Sequence, residues 1–219
     1  MLILESVLKA AKIKAAEIIG RTLVSELSKK GYLACYANTK EEALSEVLKI
    51  IPENASVGIP GSVTIREIGA MEALKGRGCT VYHHWDPSLT PEQRMDICQK
   101  ENMSDYFLTS ANSVTTDGMI VNIDGNGNRV SGMAWGINTL IFVIGVNKIA
   151  NSLDAAIERA RSAAPPNVLR LNGDTPCTKT GYCVNCDSQG RVCRVLLINE
   201  RPAFGRKTHV IVTGEDLGY

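Results

Sequence analysis

The chain has 219 residues, of which 44% are hydrophobic, and this length suits one substantial α/β core. Its 24 Lys and Arg residues nearly balance 23 Asp and Glu residues and are spread along the chain, which argues against an electrostatic nucleic-acid binder. Charged residues interrupt the apolar N-terminus, and no apolar stretch approaches the roughly 20 residues that a membrane span needs. We therefore expect one domain over residues 1–219, cytoplasmic, with neither a membrane nor a nucleic-acid partner.

Apolar periodicity organises the first part of the chain. Residues at three- and four-residue steps from Leu4 to Lys30 predict one face of a long helix. A strand over Tyr32–Ala37 follows. Thr39 and Glu42 then form a capping box for a second helix, which we expect to end at the next proline.

The middle of the chain alternates strands with helices. Strands are predicted at Ala55–Ile59, Cys79–Tyr82, Asp105–Thr109 and Leu140–Ile144. Helices are predicted through Ile65–Leu74 with Thr64 and Glu67 as its cap, after Thr90-Pro91, and after Ser152 as far as Pro165-Pro166. Such alternation implies a mostly parallel, doubly wound sheet.

One segment departs from the alternation. Between Ser113 and Val130 lie two turn signals, Asp117-Gly118 and the glycine-rich run from Asp124 to Asn128, which predict an inserted β-hairpin. Two final strands are expected at Val195–Ile198 and His209–Val212. The predicted fold class is thus an α/β domain with an inserted hairpin.

Four of the seven cysteines are crowded into one segment, residues 176–194: Cys177, Cys183, Cys186 and Cys193. Four thiolates suit tetrahedral zinc and suit an iron–sulfur cluster equally, and the sequence does not separate the two. Reduced thiols or a disulfide are the alternative. We predict a metal site, either structural or redox-active, and expect the other cysteines to be inert core thiols.

Two polar loops follow predicted strands. In the first, Gly58 to Thr64, backbone amides are candidates to hold a phosphate or carboxylate, although a plain β-to-α turn explains the same residues. The second begins at Thr109 and leads to Asp124 and Arg129. There the guanidinium is a candidate anion clamp and the carboxylate a candidate base. The pair His83-His84 ends a strand without a third partner at useful spacing.

Several segments together resemble the LUD (lactate-utilisation) domain proteins, in the short cysteine-bearing form of anaerobic bacteria. They are GIPGSVTIREIG, YFLTSANSVTTDGMIVNIDGNGNRV, VIGVNKI, AAPPNVLRL and PCTKTGYCVNC, and they span nearly the whole chain. The resemblance implies a fold similar to the superfamily of ribose-5-phosphate isomerase, glucosamine-6-phosphate deaminase and CoA transferase, whose members bind ligands at strand ends. The ligand-facing candidates that it implies are Gly61, Ser62, Thr64, Glu67, Asn112, Thr115, Asp117, Asn128 and Arg129.

The predicted function is binding of a phosphorylated, CoA-like or carboxylate ligand by an accessory or subunit of a cytosolic oxidoreductase system. A partner carrying iron–sulfur centres is implied by the resemblance, and exposed sheet edges favour a homodimer. The alternatives are a stand-alone enzyme of CoA-transferase or sugar-phosphate-isomerase type with Glu67 or Asp124 as base or nucleophile, and a docking scaffold. The sequence carries no flavin or nicotinamide fingerprint.

Overall fold

A computed structural model describes residues 2–219, with side chains from residue 4 onward. The helices are Leu2–Lys29 (α1), Lys40–Ile50 (α2), Val63–Glu67 (α3), Ala70–Gly76 (α4), Pro91–Met103 (α5), Asn128–Ala134 (α6), Leu153–Ser162 (α7), Ala164–Arg170 (α8) and Pro176–Thr180 (α9). The strands are Leu33–Ala37 (β1), Ser56–Gly58 (β2), Thr80–Tyr82 (β3), Tyr106–Thr109 (β4), Ser113–Thr115 (β5), Ile120–Asp124 (β6), Thr139–Gly145 (β7), Ile149–Ala150 (β8), Val195–Asn199 (β9) and Thr208–Thr213 (β10).

The central sheet has six strands in the order β1-β10-β7-β4-β2-β3, and every neighbouring pair is parallel. Its middle strand β7 is buried on both faces. Ile141 and Val143 point into the core under α2, α3 and α4, whereas Leu140, Phe142 and Ile144 point into the core under α1. A strand covered on both sides reads as an unbroken apolar run, as β7 does. The predicted doubly wound α/β fold is confirmed.

A second sheet of four strands, in the order β8-β5-β6-β9, contains the predicted hairpin. β5 and β6 are antiparallel around the turn at residues 116–119, β9 pairs with β6, and α7 packs on this sheet through Ala156 and Ala160. The glycine-rich run that we interpreted as a turn also begins a helix. Its last residue, Asn128, is the first of α6, which is too short to show a helical period in the sequence.

Two helix boundaries differ from prediction. The predicted cap at Thr64 is wrong: the hydroxyl of Ser62 accepts a hydrogen bond from the backbone N–H of Ile65 at 3.3 Å. The hydroxyl of Thr64 instead accepts a hydrogen bond from Nζ of Lys148. The predicted single helix through Leu74 is divided into α3 and α4. Pro165-Pro166, which was predicted to end α7, also lies in the first turn of α8, where prolines are well accommodated.

Helix α1 is confirmed, but its apolar stripe is buried only towards the C-terminal end. Side chains 4–15 are all exposed, whereas Leu23 and Leu27 are fully packed against the sheet. Within residues 2–219, no helix combines the length and the apolar character needed to cross a bilayer.

Candidate functional site

A cleft of about 660 Å³ opens at the carboxyl ends of β2 and β4. The chain leaves these two neighbouring strands in opposite directions, because β2 leads outward to β3 whereas β4 leads back towards β7. Such a reversal leaves a crevice where doubly wound proteins bind ligands. The volume lies within the range of small-molecule sites. The lining residues include 60–64, 110–112 and 123–126, together with Asn128 and Arg129.

Lys148 lies at the floor of this cleft. It ends a short 3-10 turn directly after β7, and only 4% of its surface is exposed. Its Nζ donates to Oγ1 of Thr64 at 2.8 Å and to Oγ of Ser110 at 2.9 Å. One ammonium group therefore joins the loops that follow β2, β4 and β7, the three adjacent strands at the cleft.

The ammonium of Lys148 is incompletely satisfied. Burial lowers its pKa from 10.5 to about 7, with smaller contributions from the positive charges of Arg159 and Arg129. An ammonium has three donors, and two are used by hydroxyls within the described residues. The third donor and the positive charge are available to an anion. Lys148 was not among the predicted site residues, although it lies in the segment VIGVNKI, directly after a buried strand.

Residues 60–64 of the first predicted loop line the cleft. Ser62 caps α3, and Thr64 accepts from Lys148. Gly61 has φ +79°, and a Cβ there would come within 2.4 Å of the indole nitrogen of Trp85. Gly58 does not line the cleft; it lies against the backbone of α5.

The second predicted loop brings Asn112, Asp124, Asn128 and Arg129 to the same cleft. The guanidinium of Arg129 donates to the backbone oxygen of Ile123 at 2.6 Å and to Oδ1 of Asn112 at 3.2 Å. Burial lowers the pKa of Arg129, opposed by the nearby Asp124 carboxylate. Arg129 is thus a fixed, largely buried cation that lines the cleft.

The carboxylate of Asp124 is engaged by the protein itself. It accepts from the backbone N–H groups of Gly125 at 2.7 Å, Arg129 at 3.0 Å and Val130 at 3.2 Å, and its Oδ2 lies 3.8 Å from Nε of Arg129. These bonds anchor the start of α6. They leave the carboxylate little freedom to act as the base that the sequence suggested.

Besides Gly58, three predicted site residues lie outside the cleft: Glu67, Thr115 and Asp117. Oε2 of Glu67 accepts from the backbone N–H of Gly218 at 2.6 Å and so fixes the C-terminal segment. The hydroxyl of Thr115 donates to Oδ1 of Asp117 in the β5–β6 turn, and Oδ2 of Asp117 lies 3.4 Å from Nζ of Lys30. The Thr115 hydroxyl, followed by Lys30, lowers the pKa of Asp117. This pair serves the turn, as the Asp-Gly signal indicates.

Most of the charged side chains that line the cleft are cationic. Trp85 stands at one edge between two guanidinium groups, 4.6 Å from that of Arg66 and 4.1 Å from that of Arg170. Among the described lining residues, the cations are Arg94, Arg129, Lys148 and Arg170, and the acidic side chains are Asp86 and Asp124. The balance of charge favours an anionic ligand.

The four-cysteine segment borders this cleft. Cys193 lines it, Cys177 is buried on α9, and all four cysteines are free thiols. Burial raises the pKa of Cys193, and the nearby Cys183 and Cys177 add to the effect against Arg191. The thiols are therefore close enough to influence one another.

The four cysteine sulfurs are of a type that binds metal ions, but they do not converge on one position. The backbone N–H of Asn185 points at the sulfur of Cys183 at 3.4 Å, a contact that supports a thiolate ligand. Arg191 holds the backbone oxygens of Cys186 and Cys193. Within the described residues, no three of these sulfurs lie within 4.8 Å of one another.

The family described as LUD domain matches residues 21–213 of the sequence, which is most of the chain. The chain belongs to the LUD domain family. This family is associated with lactate utilisation. No curated protein matches the sequence.

A solved structure supports the same fold for this LUD domain. It is a DUF162 family protein from Deinococcus radiodurans, 13% identical, and the alignment covers 90% of this chain and 98% of that chain with a TM-score of 0.51. At that identity the similarity shows the fold alone. The similarity does not identify a ligand for the cleft of this chain.

The buried lysine gives a pH-dependent stability that can be measured. The folded chain releases the proton of Lys148 near pH 7, whereas the unfolded chain keeps it up to about pH 10.5. The unfolded state therefore binds more protons between these values, and stability rises with pH there. We expect the free energy of unfolding of the native chain, relative to Lys148→Met, to increase by about 2 kcal/mol from pH 7 to pH 9.

Urea denaturation of both proteins at a series of pH values measures this difference, since all other titrating groups are shared. The matched control is Lys75→Met, in which an exposed lysine of α4 is replaced and no such slope is expected. A difference between native chain and Lys148→Met that stays constant across this range would contradict the buried-ammonium assignment.

Proposed function

We propose that this LUD domain binds a small phosphorylated, CoA-like or carboxylate ligand in the Lys148 cleft, as an accessory or subunit of a cytosolic oxidoreductase system. The observation that carries the proposal is the buried ammonium of Lys148, held by Thr64 and Ser110 where three parallel strands end. Burying an ammonium costs several kcal/mol, and two neutral hydroxyls do not offset that cost. An anion in contact with Nζ would.

Arg129, which also lines the cleft, supports the same proposal. Its guanidinium is fixed by Asn112 and Ile123 before any ligand arrives, so little conformational entropy is lost on binding. Arg170, stacked on Trp85, adds a cation at the edge of the cleft. This arrangement suits a ligand whose anionic group reaches the floor while its remaining part extends between the walls.

The enzymatic alternative that relies on Glu67 or Asp124 receives no support from these contacts. Glu67 is exposed outside the cleft and bonded to Gly218, and Asp124 accepts three backbone N–H groups. A nucleophilic carboxylate has to reach the substrate with a free oxygen. The binding role therefore remains the proposal.

The first experiment is calorimetric titration with inorganic phosphate, sugar phosphates, CoA esters and small carboxylates. For the probe that binds, Lys148→Met should weaken the affinity roughly 10- to 100-fold, because a hydrogen bond to a charged group is lost. Binding at pH 8 should also take up a fraction of a proton, because an anion favours the charged form of a lysine whose pKa is about 7.

Proton uptake is obtained from titrations in buffers of different ionisation enthalpy. Lys75→Met serves as the matched control and should bind as the native chain does. If a probe binds with neither proton uptake nor any dependence on Lys148, the cleft is not its site.

We further propose that Cys177, Cys183, Cys186 and Cys193 hold an iron–sulfur cluster or a zinc ion. The crowded thiols and the N–H contact to Cys183 support the proposal. A cluster would supply one-electron transfer, whereas zinc would stabilise the segment without redox chemistry. Because Cys193 also lines the cleft, a redox centre held by these residues would adjoin the ligand site.

Purification without oxygen, followed by metal analysis and absorption spectroscopy, tests the metal proposal. We expect either one zinc, or iron with equivalent sulfide, per chain, and loss of that metal in Cys186→Ser. Cys35→Ser is the control, since Cys35 lies on β1 in the other part of the sequence and should leave the metal content unchanged. Native protein with neither iron nor zinc would exclude the site.

A further inference from the structure

Glu101 is a completely buried carboxylate that the anion-binding site does not use. It lies on α5 with 0% of its surface exposed. Its hydrogen bonds within the described residues all come from His84: Oε1 accepts from the backbone N at 2.9 Å and contacts Nδ1 at 2.8 Å, and Oε2 lies 3.1 Å from the same Nδ1. Burial raises the pKa of Glu101, and the contacts with His84 oppose that change.

The packing of α5 against the end of β2 fixes the position of this carboxylate. A Cβ at Gly58 would come within 2.0 Å of the backbone oxygen of Glu101, so α5 lies directly on the end of β2. Gly58 was predicted as part of an anion-binding loop. In the structure it lies against the backbone of Glu101, so it allows the close packing of α5 that positions this carboxylate.

The contact with Glu101 determines which nitrogen of His84 is free. A carboxylate at 2.8 Å from Nδ1 favours the proton on that nitrogen and leaves the lone pair on Nε2. Within the described residues, Nε2 has no hydrogen-bond partner. The side chain is 16% exposed and lines the cleft. His84 lines the cleft, its Nδ1 is held by a buried carboxylate, and its Nε2 has no hydrogen-bond partner among the described residues; this is the arrangement of a general base.

We propose that His84 and Glu101 form a proton-transfer dyad at the Lys148 cleft, acting on a hydroxyl or an acidic C–H of the bound anion. His84 takes the proton on Nε2 and becomes an imidazolium, whose charge the Glu101 carboxylate balances. The O–H or C–H bond breaks and leaves its electron pair on the ligand beside Lys148 and Arg129. The proton then returns to a different atom of the ligand, which gives an isomer of it, so no oxidant or reductant is needed. Glu101 is a positioning residue. The ligand in this proposal rests on the proposed function.

Cys98 is the remaining ionisable group in this cluster. Its sulfur lies within 4.8 Å of the ligand atoms of His84 and Glu101. Burial, followed by the charge of Glu101, raises the pKa of Cys98 to about 11, so the thiol stays neutral beside the dyad. A neutral thiol is a poor nucleophile, so Cys98 is a neighbour of the dyad and not a second reacting group.

Carbethoxylation by diethyl pyrocarbonate tests the dyad without a known substrate, because the reagent attacks an unprotonated imidazole nitrogen. Rates at His83, His84 and His209 are followed separately by peptide mass spectrometry on the full chain. At a pH high enough that the imidazole is unprotonated in every variant, we expect His84 to react, and to react several-fold more slowly in Glu101→Gln, because the charge that stabilises the developing imidazolium is lost. Glu101→Asp, which keeps the charge, should recover part of the rate. The rates at His83 and His209 should not change.

Two further measurements separate the dyad from a structural anchor. The ¹⁵N spectrum of the native chain should show His84 protonated on Nδ1 and unprotonated on Nε2. Inorganic phosphate, at concentrations where calorimetry detects binding, should slow carbethoxylation of His84. An unreactive His84, a rate indifferent to both Glu101 variants, or a proton on Nε2 would overturn the dyad.

The outcomes also distinguish the dyad from the proposed function. If phosphate does not bind, the anion site fails, while the Glu101 dependence of the His84 rate still tests the dyad. If phosphate binds without protecting His84, the dyad does not serve that cleft. Protection of His84 by Zn²⁺ that disappears in Cys98→Ser would overturn the proposal in favour of a metal site.

Discussion

The constraint on which the site depends is the burial of one positive charge. Lys148 follows the most buried strand of the sheet, so its ammonium has to be accommodated between the loops that follow the neighbouring strands. Thr64 and Ser110 supply two oxygens, and no carboxylate within the described residues forms an ion pair with it. A carboxylate partner would stabilise the folded chain but would remove the attraction for an anionic ligand.

The arrangement of the remaining charges follows from this one. Arg159 on α7 donates to the backbone oxygen of Asn147 at 2.7 Å, which fixes the turn that carries Lys148, and its charge also disfavours the ammonium. Glu67, whose charge favours the ammonium, is bonded to the backbone of Gly218, and Asp124 is committed to the start of α6 and to Arg129. This arrangement of charges is what supports the proposal of an anionic ligand.

The fold was largely predictable because it is expressed in local patterns. The apolar run of β7 and the alternation of strands with helices indicated a parallel sheet, and the Asp117-Gly118 turn marked the hairpin. The short helix α6 was not predictable in this way, because seven residues are too few for a clear period. The exposed first half of α1 shows a further limit: an apolar stripe indicates a helix, not what covers it.

The site was predictable only where a residue lies on a polar loop at a strand end. Ser62, Asn112 and Arg129 fulfilled that condition and line the cleft together. Lys148 was missed because a single lysine after a strand is ordinary until the fold buries it. The pair His84 and Glu101 was missed because 17 residues separate them, and only the packing of α5 on β2 brings them into contact.

The most direct test of the central claim is a crystal structure of the protein soaked in selenate, a phosphate-like anion that anomalous scattering locates. The account predicts a selenium peak in the cleft, with an oxygen within hydrogen-bond distance of Nζ of Lys148, and loss of that peak in Lys148→Met. Anomalous peaks confined to the outer surface, with the cleft occupied by water alone, would contradict it.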